Sequence, residues 1–232
     1  MTDSLEHDGT PIESGRVLAT IGEDRIVAVL VIDDPAAAKP LGVALKTGGL
    51  RCAEVTFRTS AAEEALRALA ELPDMMVGAG TITTRDQVDR AVAAGAKYIV
   101  SPGLDVTIVR HCRQIGVTVI PGVATATELQ AAIGEGLEAV KFFPAEPLGG
   151  LTMLKALAAP FPDVRFMPTG GISERHVHSY LECPAVLAVG GSWMAPPALL
   201  AVGDFAAIAQ RCLEAAVVAR RHGDPSRRDS AS

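Results

Sequence analysis

Residues 98–125, YIVSPGLDVTIVRHCRQIGVTVIPGVAT, carry the pattern that decides the fold. A short apolar run over 98–103 ends in Ser-Pro-Gly, a helical stretch closed by Gly116 follows, and a second run over 118–123 ends in Pro-Gly-Val-Ala-Thr. The same grammar extends in both directions. Further β-branched or apolar runs occupy 26–32, 52–57, 75–81, 140–145, 165–171 and 186–193, separated by alanine- and leucine-rich stretches such as 61–71, 85–94 and 126–133. Helix-stop glycines fall at Gly48-Gly49, Gly95, Gly116 and Gly136. Alternating strand and helix elements imply parallel strands covered by helices. Eight such units suit a closed (β/α)₈ barrel, the TIM-barrel architecture, or a doubly wound open sheet. The strand ends separate the two: GAGT, SPG, PGVAT, FFPAE, PTGG and GGS place small or polar residues after nearly every strand. A barrel builds its site from several strand ends at once, whereas an open sheet concentrates such residues at one or two switch-point loops. The expectation is a single-domain α/β barrel over 16–219, with a polar N-terminal segment over 1–15 and a basic tail over 220–232.

The composition narrows the class of function. The chain of 232 residues is 49% hydrophobic and 21% charged, with a net charge of −6. No internal basic cluster exists, which argues against nucleic acid as a partner; Arg220-Arg221 and Arg227-Arg228 read as a solvated tail. Cys52, Cys112, Cys183 and Cys212 never form a CxxC pair and read as packed free thiols in a reducing cytosol. His176 and His178 are close but alternate with apolar residues and have no acidic ligand cluster, so no metal site is expected. There is no run of about 18 apolar residues and no basic-then-apolar leader, so neither a membrane span nor export is expected, and the protein is expected in the cytoplasm.

Lys141 stands out against this background. It lies inside the apolar segment Ala139-Val140-Lys141-Phe142-Phe143-Pro144, and it is one of only five lysines. Burying an ammonium costs several kcal/mol or drives the amine toward its neutral form. A desolvated amine is suited to a Schiff base with a ketone; snorkelling from an edge strand to solvent is the alternative. Strand alternation sets Lys141 and Phe143 on one face and the helix-packing Val140 and Phe142 on the other. In Cys52-Ala53-Glu54-Val55-Thr56-Phe57-Arg58-Thr59 the same parity puts Glu54, Thr56 and Arg58 inward, with Glu54 about 13 Å deeper than Arg58. Glu54 is either half of a structural ion pair or, beside Lys141, the general acid/base that reversible imine chemistry requires.

Anion binding is expected elsewhere in the same mouth. Thr169-Gly170-Gly171 follows the seventh strand and Gly190-Gly191-Ser192 the eighth, where barrels bind phosphate through backbone N–H groups. Arg58 and Thr81 are candidate donors to a second anion, a carboxylate next to the reacting ketone. There is no GxGxxG after the first strand and no GxxxxGK[ST], so no cofactor is expected. A phosphorylated 2-oxo acid fits these features.

At these residues the chain resembles the class I 2-keto-3-deoxy-6-phosphogluconate (KDPG)/4-hydroxy-2-oxoglutarate aldolases. The resemblance spans residues 26–213 and rests on EVTFRT (54–59), VGAGT (77–81), SPGL (101–104), IPGVAT (120–125), KFFPAE (141–146), PTGGI (168–172) and GGSW (190–193). It implies a homotrimer without metal or cofactor that reversibly cleaves 2-keto-3-deoxy-6-phosphogluconate to pyruvate and glyceraldehyde 3-phosphate. Activity on 4-hydroxy-2-oxoglutarate, giving pyruvate and glyoxylate, is also implied. By resemblance Lys141 is the Schiff-base lysine and Glu54 the acid/base that works through water. Arg58 and Thr81 hold the carboxylate, Phe143 packs beside the imine, and Pro102 lines the pocket. Gly170, Gly171, Gly191 and Ser192 take the phosphate, with Thr169 just before them. Galactonate-type relatives tend to carry Asn where Arg58 stands, so the gluconate stereochemistry is favoured. A phosphosugar isomerase or decarboxylase on the same barrel, with Lys141 as an electrostatic stabiliser and no covalent adduct, is the competing reading.

Overall fold

Short polar residues at the ends of the apolar runs start the helices. Thr84 and Thr125 each accept the N–H three residues on, and Gln87 and Glu128 reach back to the backbone, giving two capping boxes. Asp105 caps the next helix start by accepting from Thr107 and Ile108. At the other end Gly95, Gly116 and Gly136 take φ of 102°, 74° and 74°, the left-handed conformation that releases the chain into the following strand.

The structure, a computed structural model, describes residues 11–223. In chain order it contains α1 (Pro11–Asp24), β1 (Ile26–Leu30), a 3₁₀ turn (Pro35–Ala37), α2 (Ala38–Thr47), β2 (Cys52–Thr56), α3 (Ala62–Ala70), β3 (Met76–Gly80), α4 (Arg85–Ala93), β4 (Tyr98–Val100) and α5 (Val106–Gln114). There follow β5 (Thr118–Ile120), β6 (Gly122–Val123), α6 (Ala126–Gly134), β7 (Ala139–Phe142), α7 (Gly150–Ala158), β8 (Arg165–Phe166), α8 (Glu174–Leu181), β9 (Val189–Gly191), α9 (Pro197–Ala201) and α10 (Phe205–Gly223). Of the N-terminal segment expected over 1–15, residues 11–15 belong to α1, and of the tail expected over 220–232, residues 220–223 belong to α10; the remainder lies outside the described residues.

All strand pairs are parallel. One sheet has six strands in the order β5-β4-β3-β2-β1-β9, and a second has three, β6-β7-β8. The expected α/β class and parallel strands are therefore present. Strands are shorter than the apolar runs: β3 ends before Thr81, β4 before Ser101 and β7 before Phe143, so the residues beyond form loops, while Gly78, Gly80, Gly122, Gly190 and Gly191 stay in the ladders. The run over 118–123 is split at Pro121, which has no N–H to give the ladder, although its carbonyl accepts from Lys141 N at 2.8 Å.

Strand alternation sorts the buried side chains into two groups. Val27, Cys52, Tyr98, Val100, Ile120, Met167 and Ala188 pack on one face, the inner one, together with Val17 and Ile21 of α1. Their alternates, including Ile26, Ala53, Val55, Ile99, Val140, Phe142 and Phe166, pack against helices in the larger cluster. Helix α1 thus covers the N-terminal end of the inner cluster and leaves the C-terminal strand ends for the loops. The four cysteines are free and buried, and burial pushes the Cys112 and Cys212 thiols up to about 12, so both stay protonated near neutrality. Among the described residues no helix is long and apolar enough to cross a membrane.

Candidate active site

Lys141 on β7 and Glu54 on β2 meet across the inner face. Lys141 Nζ lies 3.1 Å from Glu54 Oε1 and 3.5 Å from Oε2, with Lys141 only 5% exposed and Glu54 not at all. Their strands belong to different sheets, so this charge-assisted bond also ties the two sheets together. The snorkelling alternative for Lys141 is excluded, because its amine is buried. The Phe143 ring centroid lies 5.2 Å from Nζ, close enough for a cation–π contact.

Space for the pair is made by glycines. A Cβ on Gly80 would fall 2.0 Å from Glu54 Oε1, and Glu54 faces Gly78 in the β2–β3 ladder. A Cβ on Gly78 would in turn fall 2.3 Å from the Tyr98 ring, whose hydroxyl donates to Ala53 O at 2.7 Å. Tyr98 is therefore the floor beneath Glu54, and burial holds its hydroxyl protonated, well above the ordinary tyrosine range. Beside Lys141 the ladder partner is Gly122, which abuts the Pro102 carbonyl. The floor was not foreseen from the sequence. Its signal was VGAGT itself, where period two puts both glycines on the inner face.

Thr81 follows Gly80 directly and holds φ of 60°. A β-branched residue avoids that region, and its presence costs about 1–3 kcal/mol, so strain is concentrated next to the ion pair. Arg58 requires a correction. Alternation along β2 carries Glu54 and Thr56 inward but stops there, because Arg58 N turns back to Thr56 O at 2.8 Å. Arg58 is exposed in that turn and, among the described residues, has no ion-pair partner. Thr56 is occupied structurally, donating to Leu30 O at 2.9 Å.

The glycine loop after β8 lies beside this centre, whereas Gly190 and Gly191, expected to follow the last strand, are instead paired within β9, with only Ser192 beyond it. Thr169 N donates to Phe142 O at 3.0 Å and Thr169 pairs with Gly190, so the loop is laced to β7 on one side and β9 on the other. Gly170 and Gly171 have φ of 101° and 77°, and a Cβ on Gly170 would lie 3.2 Å from the Phe143 ring. Gly190 makes room for the Thr169 side chain and Gly191 for the Trp193 ring, so this glycine pair serves packing as well as any ligand. Among the described residues the N–H groups of Gly170, Gly171 and Ser192 donate to no protein acceptor.

Residues 17–211 match the family model for KDPG and KHG aldolase. The chain belongs to the KDPG and KHG aldolase family. It is 48% identical to the 2-dehydro-3-deoxy-phosphogluconate aldolase of Treponema pallidum over 194 residues, covering 82% of this chain and 92% of the relative. The structure superposes with a TM-score of 0.84 on the 2-keto-3-deoxy-6-phosphogluconate aldolase of Zymomonas mobilis solved with 3-phosphoglycerate, at 40% identity and over 88% of this chain and 97% of that one. It superposes with a TM-score of 0.82 on the Legionella pneumophila KDPG aldolase in which pyruvate was captured as a covalent carbinolamine, at 39% identity and over 85% and 96% of the two chains.

If the strain at Thr81 is local, Thr81→Gly should leave the fold intact and stabilise it by about 1 kcal/mol. Urea unfolding measures this. A loss of stability would mean that the threonine's contacts outweigh its backbone strain.

Proposed function

We propose that this chain is a Schiff-base aldolase that reversibly cleaves 2-keto-3-deoxy-6-phosphogluconate to pyruvate and glyceraldehyde 3-phosphate. The observation that carries the reading is the buried Lys141–Glu54 pair, an amine held 3.1 Å from a carboxylate that can take its proton. Once deprotonated, the Lys141 amine attacks the C2 ketone to give a carbinolamine. Glu54, acting through water, returns a proton to the departing hydroxyl, and loss of water leaves a protonated imine. Glu54 as carboxylate then removes the C4 hydroxyl proton. The C3–C4 bond breaks toward the imine, the aldehyde leaves, and the enamine is protonated at C3. Hydrolysis releases pyruvate and restores the amine.

The flanking residues take the roles that the family resemblance implies. Arg58, whose guanidinium has no ion-pair partner among the described residues, and the strained Thr81 hold the substrate carboxylate, Phe143 packs beside the imine, and Pro102 forms the adjoining wall. The free N–H groups of Gly170, Gly171 and Ser192, with Gly191 and Thr169 shaping their loops, receive the phosphate. A phosphate site favours the phosphorylated substrate over 4-hydroxy-2-oxoglutarate, which carries none. Gluconate stereochemistry is favoured by Arg58.

The two sheets are proposed to close into one eight-stranded barrel. The run through Pro121 joins β5 to β6, and bridges from Phe166 to Val186 and from Thr169 to Gly190 link β8 to β9, which supports closure. We also infer a cytoplasmic homotrimer, as the family resemblance implies, with a solution mass three times the 24.1 kDa chain by light scattering. A monomeric mass would contradict that assembly.

Lys141→Ala should abolish cleavage, and Glu54→Gln should slow it about 10²–10⁴-fold, measured as kcat/KM with aldehyde release coupled to a dehydrogenase. Near-normal rates in a folded Glu54→Gln protein would remove that residue from the mechanism. Full cleavage activity of a folded Lys141→Ala protein would remove Lys141 as the Schiff-base residue.

A further inference from the structure

Glu146 closes KFFPAE, five residues beyond Lys141, and the imine chemistry does not use it. Its backbone N–H donates to Gly170 O at 3.0 Å, while Ala145 N donates to Thr169 O at 2.8 Å, so the segment after β7 is laced to the loop after β8. Its side chain fills the space that Gly171 leaves: a Cβ there would stand 2.8 Å from Glu146 Cβ. The carboxylate is held in turn by α8, accepting from the Tyr180 hydroxyl at 2.6 Å, with His176 Nε2 3.7 Å from its second oxygen. A carboxylate beside a turn with free N–H groups is an unlikely neighbour for an anion unless it is needed to hold the turn. Burial, and then the carboxylate itself, push the Tyr180 hydroxyl upward, so it remains a donor across the neutral range.

We propose that Glu146 and Tyr180 are positioning residues that clasp the Gly170-Gly171 turn at a fixed distance from Lys141, and so select substrates by the anionic group at the end remote from the ketone. The inference rests on the aldolase reading and deepens it. The covalent chain supplies the ruler. One segment carries the reacting amine at 141 and the clasp at 146, so the amine and the anion cradle cannot drift apart independently. Because the clasp acts on the far end alone, its loss should leave the pyruvate half of the reaction intact.

The test compares Tyr180→Phe, Glu146→Ala and Glu146→Gln, the last keeping an acceptor for the tyrosine. Three quantities are read: KM against kcat for 2-keto-3-deoxy-6-phosphogluconate, the inhibition constant of inorganic phosphate, and exchange of the pyruvate methyl protons in D₂O. The expected result is a roughly tenfold rise in KM and in the phosphate constant for Tyr180→Phe and Glu146→Ala. Methyl exchange and kcat should stay near wild type, and Glu146→Gln should recover most of the affinity. An unchanged phosphate constant in Tyr180→Phe and Glu146→Ala would overturn the proposal. An equal loss on unphosphorylated 4-hydroxy-2-oxoglutarate would do the same. If Tyr180→Phe does not fold, the contrast between Glu146→Ala and Glu146→Gln decides. Absence of pyruvate exchange in the unmodified protein would count against the aldolase reading, while calorimetric binding of inorganic phosphate to the variants would still decide the clasp.

Discussion

The ion pair between Lys141 and Glu54 is the constraint around which the inner face is organised. Two opposite charges are removed from water there and compensate each other at 3.1 Å. Such a pair is poor evidence of a stability device, because well-packed apolar residues of similar volume commonly do as well or better in the same place. Removing one partner alone is costly, since the other charge is left buried. What the pair offers that leucines could not is a proton that can move between a potential nucleophile and a base.

Much of the surrounding sequence is explained by the room this pair needs. Gly80 yields to the Glu54 carboxylate, Gly78 to the Tyr98 ring beneath it, and Gly122 stands opposite Lys141 in the ladder. These glycines would be liabilities in ordinary strands, where a side chain adds packing and restricts the unfolded chain. Here they allow polar groups into a space walled by Val, Ile and Met. The loops follow the same logic: the backbone is bent into left-handed conformations at Gly170 and Gly171, and among the described residues their N–H groups have no protein acceptors. Tyr98 and Tyr180 both sit in supporting positions, one under the carboxylate of the ion pair and one behind the glycine turn.

The strand–helix alternation, the parallel pairing and the meeting of Lys141 with Glu54 were legible in the sequence, because period-two burial is a local property of a strand. The limits of that reasoning are equally local. Arg58 was assigned to the inner face by extending the alternation two residues past the last strand residue, Thr56, and the turn at Phe57–Arg58 ends it. The glycine stripe of β3 was read as a strand end, since nothing in VGAGT reveals that an aromatic ring from the next strand lies across it. The clasp joining Glu146 to Tyr180 spans 34 residues and two elements, and no periodicity reports a contact of that kind. The proposed closure of the two sheets rests on single residue pairs, Phe166 with Val186 and Thr169 with Gly190, too short to leave a pattern.

The central claim is that Lys141 is a nucleophile rather than a buried cation. Incubating the protein with pyruvate, reducing with borohydride and mapping the modified peptide by mass spectrometry tests it directly. The account predicts one reduced pyruvyl adduct, on the peptide holding Lys141, and none without pyruvate. A folded, pyruvate-saturated protein that remains unmodified, or is modified elsewhere, would contradict it.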